Sequence, residues 1–180
     1  MLLEMSEIKL VKPTMEYEDE IWDFRQEIIN WADKDEFVGF ANLIGCKSPK
    51  EWISTITLLS SQLTCPDSMV PSDIYIAVGK RDKRIVGMID LRHHINHPIM
   101  STWGGHISYY VRPSERNKGY ATEMLRQNLL NCKKLNISRV LITCDEDNYA
   151  SEKVILNNGG VFESKILAGV LVKKRYWINL

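Results

Sequence analysis

The residues with the clearest chemical potential run Val111-Arg112-Pro113-Ser114-Glu115-Arg116-Asn117-Lys118-Gly119-Tyr120-Ala121-Thr122. A strand-like run stops at a proline and a loop carrying Arg112, Arg116 and Lys118 follows. A helical pattern then opens on Gly119 and Ala121, with no acidic side chain before Glu123. The first turn of a helix exposes unpaired N–H groups and a partial positive charge, and phosphate oxygens satisfy both. Gly119 lets the main chain approach a ligand closely, and Ala121 keeps a second contact point free of bulk. Arg116 and Lys118 would add charge-assisted hydrogen bonds. Neither a mononucleotide loop (GxxxxGK followed by Ser or Thr) nor a GxGxxG dinucleotide fingerprint fits the spacing. A turn glycine beside a solvated basic loop has the same local sequence. The anion site is favoured because a core strand passes directly into an amphipathic helix.

The rest of the chain supplies elements that could position such a loop. Residues 8–13 read as a short strand stopped by Pro13, with Thr14 able to cap a helix whose apolar stripe is Tyr17, Ile21, Phe24, Ile28 and Trp31. Ser48-Pro49-Lys50-Glu51 starts a second helix with the stripe Trp52, Ile53, Ile56, Leu59 and Leu63, ended by Pro66. IYIAV (74–78), IVGMIDL (85–91) and HISYYV (106–111) form an antiparallel meander. A helix with Ala121, Leu125, Leu129 and Cys132 in line leads to VLITC (140–144). That strand, placed beside HISYYV, implies a right-handed parallel crossover. Asn148 begins a short helix that ends at Asn157-Asn158-Gly159, and residues 161–166 and 170–178 form a terminal hairpin around Gly169. The fold class is α+β, a mixed sheet covered by about four helices.

Composition narrows the function. The 180 residues suit one domain spanning 1–180, and 23 Lys+Arg balance 23 Asp+Glu. Zero net charge removes the broad attraction on which nucleic-acid and anionic-membrane binders rely, so neither partner is expected. Glu4 and Glu7 interrupt the stretch where a secretory signal would need apolar residues. Cys46, Cys65, Cys132 and Cys144 form neither a CxxC pair nor a disulfide framework, which points to reduced thiols in a cytoplasmic protein.

On these motifs the chain resembles the GNAT superfamily of N-acetyltransferases. Their acetyl-CoA signature, Arg or Gln, two residues, Gly, one residue, then Gly or Ala, follows a strand ending V-x-P. It is matched by Val111-Arg112-Pro113 and Arg116 to Ala121. A second match is Asn148, Ser151 and the helix-ending Gly159. The resemblance implies a mostly antiparallel central sheet with splayed parallel strands in its middle. It implies acetyl-CoA as cosubstrate, with its pyrophosphate on the amides of Arg116, Asn117, Lys118, Gly119, Tyr120 and Ala121 and a hydroxyl from Thr122. The pantetheine arm would run along Tyr109, Tyr110 and Val111, and Asn148 and Ser151 would meet the far side of the cofactor.

Acyl transfer to an amine needs a neutral nucleophile, a stabilised oxyanion and a proton for the departing thiolate. His106 is the leading base, since imidazole titrates near neutrality, although a histidine satisfied by a neighbouring strand would look the same. Asp90 is the alternative base, or else an edge carboxylate facing solvent. The tyrosine that the family often places four residues before the helix-ending glycine is here Ile155. Tyr149, Tyr110, Tyr120 or solvent would then protonate the thiolate. His93, His94 and His97 lack the partners of a metal set and read as a loop at the sheet edge. The acidic run Glu16, Glu18, Asp19, Glu20 and Asp23 reads as a solvated helix face. Trp22, Trp31, Trp52 and Trp103 could line an acceptor pocket or simply pack the core. The expectation is therefore a metal-free, cytoplasmic N-acetyltransferase that joins acetyl-CoA and a small-molecule or protein amine in a ternary complex. Homodimerisation is left open. The alternative is a CoA-binding regulatory module without turnover.

Overall fold

A computed structural model describes residues 7–31, 37 and 39–180. Glu4, and part of the stretch between the first two helices, lie outside the described residues. Strands β1 (Ile8–Val11), β2 (Ser72–Gly79), β3 (Ile85–Arg92) and β4 (Tyr109–Val111) form an antiparallel sheet in that order. A second antiparallel sheet holds β5 (Arg139–Asp145), β7 (Leu171–Asn179) and β6 (Val161–Ala168), with β7 in the centre. Helices α1 (Glu18–Asn30) and α2 (Pro49–Leu59) precede β2, α3 (Tyr120–Lys134) links β4 to β5, and α4 (Tyr149–Asn157) follows β5.

The strand period explains the layering. In β2, Ile74, Ile76 and Val78 face a core built with Ile21, Phe24 and Ile28 of α1 and Trp52 and Ile56 of α2. Ala77 of β2 and Ile89 and Leu91 of β3 point the other way, into a second core with Met124, Leu125 and Leu129 of α3, Ile142 of β5 and Tyr176 of β7. Both faces of the first sheet are therefore covered, which is why β3 reads as a nearly unbroken apolar run.

Local chemistry sets the element ends. Ser48 caps α2 by accepting the Glu51 N–H at 3.1 Å, while the Glu51 carboxylate accepts the Lys47 N–H at 2.7 Å. That helix stops at Leu59 rather than running to Pro66, which leaves Leu63 94% exposed. The core stripe of α1 ends at Ile28, because the chain turns extended at Trp31 and leaves that ring exposed. Trp52 is wholly buried and donates its indole N–H to the Phe40 carbonyl at 2.8 Å, so it packs the core rather than lining an open pocket.

The expected α+β class holds, and its sheet is divided into two antiparallel sheets. HISYYV joins the β3 ladder in regular fashion only over Tyr109–Val111. Just before that, the Asp90 carboxylate takes the Ser108 N–H at 2.6 Å and interrupts the regular exchange.

Candidate active site

The loop after β4 is built from one end of α1. Pro113 opens a single helical turn, and Glu27 of α1 accepts the Ser114 N–H at 2.8 Å through one carboxylate oxygen. The other oxygen accepts from the Arg112 guanidinium at 2.7 Å. Burial alone would raise the Glu27 carboxyl, but the hydrogen bonds from Arg112 and Ser114 hold it below the usual carboxylate range. The chain then extends at Arg116, turns left-handed at Asn117 (φ 63°), and enters α3 through Gly119 (φ 81°). A Cβ at Gly119 would meet nothing within 4 Å. Backbone conformation rather than crowding therefore requires the glycine, and open space lies on that side.

Gly119 supplies no side-chain cap, and the first α-helical bond runs from the Glu123 N–H to the Gly119 carbonyl at 3.2 Å. The amides of residues 117–122 donate to no acceptor among the described residues. A helix start in this state presents consecutive N–H donors and a positive dipole end.

The cations that the sequence gives to this loop are mostly held by the protein. Arg112 is buried and bonds to Glu20 (3.3 Å), Glu27 (2.7 Å) and the Ile85 carbonyl (3.0 Å). Lys118 pairs with Glu115 at 2.8 Å, and that hydrogen bond holds its ammonium above its usual range. Arg116 lies over the Tyr110 ring, 5.1 Å from its centroid, and Tyr110 itself is buried in the α1 core. The main chain, more than these side chains, is what this loop offers an anion. Glu20 likewise departs from the solvated face expected of the acidic run, since it also accepts the Ile85 N–H at 2.9 Å.

The segment leading into β4 pairs with β5 through the main chain at His106 and Leu141. The His106 N–H donates to the Leu141 carbonyl at 2.8 Å, and the Leu141 N–H donates to His106 Nδ1 at 2.9 Å. Beyond it, no ladder joins β4 to β5 among the described residues; β4 pairs with β3 and β5 with β7. On the α4 side, Asn148 Oδ1 accepts the Ser151 N–H at 3.0 Å. The Tyr109 hydroxyl reaches from β4 to α4, 2.6 Å from Ser151 Oγ, and burial raises its pKa.

The expected catalytic side chains sit in different surroundings. Burial pushes the His106 imidazole down to about 4, so the ring is neutral at pH 7. Because Nδ1 accepts a hydrogen bond, the ring hydrogen sits on Nε2 and no free lone pair remains. Asp90 is buried rather than facing solvent, and its second oxygen pairs with Arg92 at 3.1 Å. Burial raises its carboxyl. Tyr149 is 73% exposed at the start of α4, with Lys174 over its ring. His93 bonds Asp73 at 3.1 Å, while His94 and His97 accept main-chain amides of their own loop. All four cysteines are buried free thiols. Among the described residues there is no group of three or more His, Cys, Asp or Glu placed to hold a metal, and no helix long and apolar enough to cross a membrane.

The profile of the family described as Acetyltransferase (GNAT) domain matches residues 16–161. The chain belongs to the GNAT acetyltransferases. It is an acyltransferase, and no curated protein sequence matches it. Among solved structures, RimL, a ribosomal alpha-N-protein acetyltransferase in complex with coenzyme A, superposes with a TM-score of 0.68 at 16% identity, covering 98% of this chain and 96% of that one. The microcin self-immunity acetyltransferase MccE, in complex with acetyl-CoA and AMP, gives 0.66 at 18% identity, covering 98% and 94%. A spermidine N-acetyltransferase chimera from Vibrio cholerae and hSSAT gives 0.64 at 13% identity, covering 97% and 96%. At these identities the likeness establishes the shared fold.

Within this GNAT acetyltransferase, sequence reasoning missed two groups. Glu27 gave no local signal, because its partners Arg112 and Ser114 lie 85 and 87 residues away. Tyr109 was expected to contribute backbone only, whereas its hydroxyl ties β4 to the Ser151 turn.

Proposed function

We propose that the chain transfers an acetyl group from acetyl-CoA to a primary amine, by direct attack in a ternary complex, and that all of residues 1–180 serve this one activity. The observation that carries the reading is the row of amides at residues 117–122, left without acceptors among the described residues at the start of α3, beside a strand that parts from its neighbour. A diphosphate is a fitting ligand for donors of this kind. Residues 116–122 would hold the CoA pyrophosphate, and the main chain of Tyr109, Tyr110 and Val111 would run along the pantetheine. Asn148 and Ser151 would meet the cofactor from α4. When bound, acetyl-CoA supplies an activated acyl group.

Beside the tyrosines expected from the sequence, the Tyr109 hydroxyl is a candidate proton source for the thiolate. It bridges β4 and α4 beside Ser151 Oγ. His106 Nδ1 is taken by the Leu141 N–H, which leaves that imidazole no lone pair for a proton from the amine, while Asp90 accepts from Ser108 and pairs with Arg92. The acceptor class is a small-molecule or protein amine, as for the amines named in the RimL and spermidine acetyltransferase structures.

Differential scanning with acetyl-CoA, CoA and ATP tests the site. Ligand binding to the native state raises its melting temperature by mass action. The expected result is stabilisation by the CoA pair well beyond that by ATP; no difference among the three removes the site assignment. Thiol release with at least one amine of a broad panel separates an enzyme from a CoA-binding module without turnover.

A further inference from the structure

Building on the acetyltransferase reading above, we propose that His106 is a positioning residue, its imidazole standing in for a main-chain carbonyl to sew β4 to β5 at Leu141 and fix where the two strands diverge.

The His106 N–H points to β5 and donates to the Leu141 carbonyl at 2.8 Å, while the His106 carbonyl points to β3 and accepts the Arg92 N–H at 2.8 Å. The next rung of the seam would need an acceptor for the Leu141 N–H, and Leu141 is wholly buried. An amide left there without an acceptor would be buried and unpaired, which is destabilising. Nδ1 of His106 fills the position at 2.9 Å. Gly105 makes the approach feasible: it sits at φ 68°, and a Cβ on it would lie 2.7 Å from the Leu141 carbonyl oxygen.

The surrounding groups hold this join in place. Arg92 of β3 donates to the carbonyls of Gly104 (3.3 Å) and Gly105 (3.1 Å) and to the Ser108 hydroxyl (3.0 Å). Thr143 of β5 donates to the Trp103 carbonyl at 2.6 Å, and Arg175 of β7 to the Ser101 carbonyl at 2.8 Å. The segment leading into β4 is therefore tied to three strands. Because the last rung is a side chain, it cannot propagate into a ladder, and Tyr109–Val111 pair only with Gly87–Ile89 of β3. A longer seam would close the slot, and the loss of this one would leave its edges without a fixed register.

Two measurements test the assignment. Imidazole 15N spectra of the wild-type protein at pH 7 should show Nδ1 unprotonated and Nε2 protonated for His106; the opposite tautomer overturns the inference. Calorimetric titration with acetyl-CoA should then be run on the wild type and on His106→Asn, His106→Gln and His106→Ala. Asparagine places an oxygen near Nδ1, whereas glutamine reaches toward Nε2. The expectation is affinity within about twofold of wild type for His106→Asn and roughly tenfold weaker for the other two, the scale of one lost hydrogen bond. Equal affinity in all variants, or His106→Asn as weak as His106→Ala, refutes the role. Should His106→Ala fail to fold, the Asn and Gln variants decide between them. Wild-type protein that binds no acetyl-CoA removes the acetyltransferase reading itself, and the positioning role with it. Wild-type binding that is indifferent to His106 removes only this inference.

Discussion

At α2 and α4 the protein completes its own helix starts, with Ser48 taking the Glu51 amide and Asn148 taking the Ser151 amide. The single turn at Pro113–Glu115 is completed too, by Glu27 reaching in from α1. Helix α1 has no side-chain cap, but its first turn carries Glu18, Asp19 and Glu20, which offset the dipole. Among the four α-helices, only α3 begins on a glycine, with one acid in its first turn and amides of residues 117–122 that nothing among the described residues accepts. Each capped start stabilises the fold locally. The uncapped one forgoes that stabilisation and keeps its donors for a ligand, so the capped starts should govern stability and the α3 start should govern acetyl-CoA affinity.

The sharpest way to break that contrast is Gly119→Glu, which brings a carboxylate to where a pyrophosphate would lie. Like charges in contact cost several kcal/mol, so calorimetry should show a loss of roughly a hundredfold or more in acetyl-CoA affinity. Gly119→Ala, which enters open space, is the control: it should cost only about 1–2 kcal/mol of stability for a left-handed residue. Next in size is Glu27→Ala, which leaves the buried Arg112 guanidinium short of its closest carboxylate. Urea unfolding should report a loss of about 3 kcal/mol, and a change below about 1 kcal/mol would mean that Glu27 does not anchor this loop.

A smaller effect should appear with pH. His106 is held at about 4, below its ordinary 6.5, chiefly by burial. Its contribution is therefore complete above pH 6.5 and is lost as pH falls toward 4, because the unfolded chain takes up the proton first. Over that window the wild-type melting temperature should drop more than that of His106→Asn; parallel curves would show that the imidazole is not held neutral. Smallest of all, Ser48→Ala should cost about 1 kcal/mol of stability with acetyl-CoA affinity unchanged. A matching fall in affinity would dissolve the distinction between the two kinds of helix start.

How far the sequence could be read follows from the range of the forces involved. The loop from Arg116 to Ala121 was legible because its chemistry is main-chain and local: a proline, a left-handed glycine and a helix start sit within a few residues. The Asn148 cap was legible for the same reason. Neighbouring charges were misjudged because a cation announces itself in sequence but its partner does not. Arg112 pairs with carboxylates from α1, and Asp90 lies under Arg92 instead of at a wet edge. The length of β4 failed for a related reason, since a side-chain oxygen takes an amide that alternation assigns to a neighbouring strand. Trp31 and Leu63 continue the helical spacing past the point where the helices stop, so periodicity alone placed them in the core.

Arg112 also has a mechanical consequence. Its guanidinium is clamped by two carboxylates of α1 and by the Ile85 carbonyl, and its own backbone is the first link of the loop that leads to α3. The start of the loop and α1 are therefore held as one piece at this point, and moving either away from the other would break these bonds.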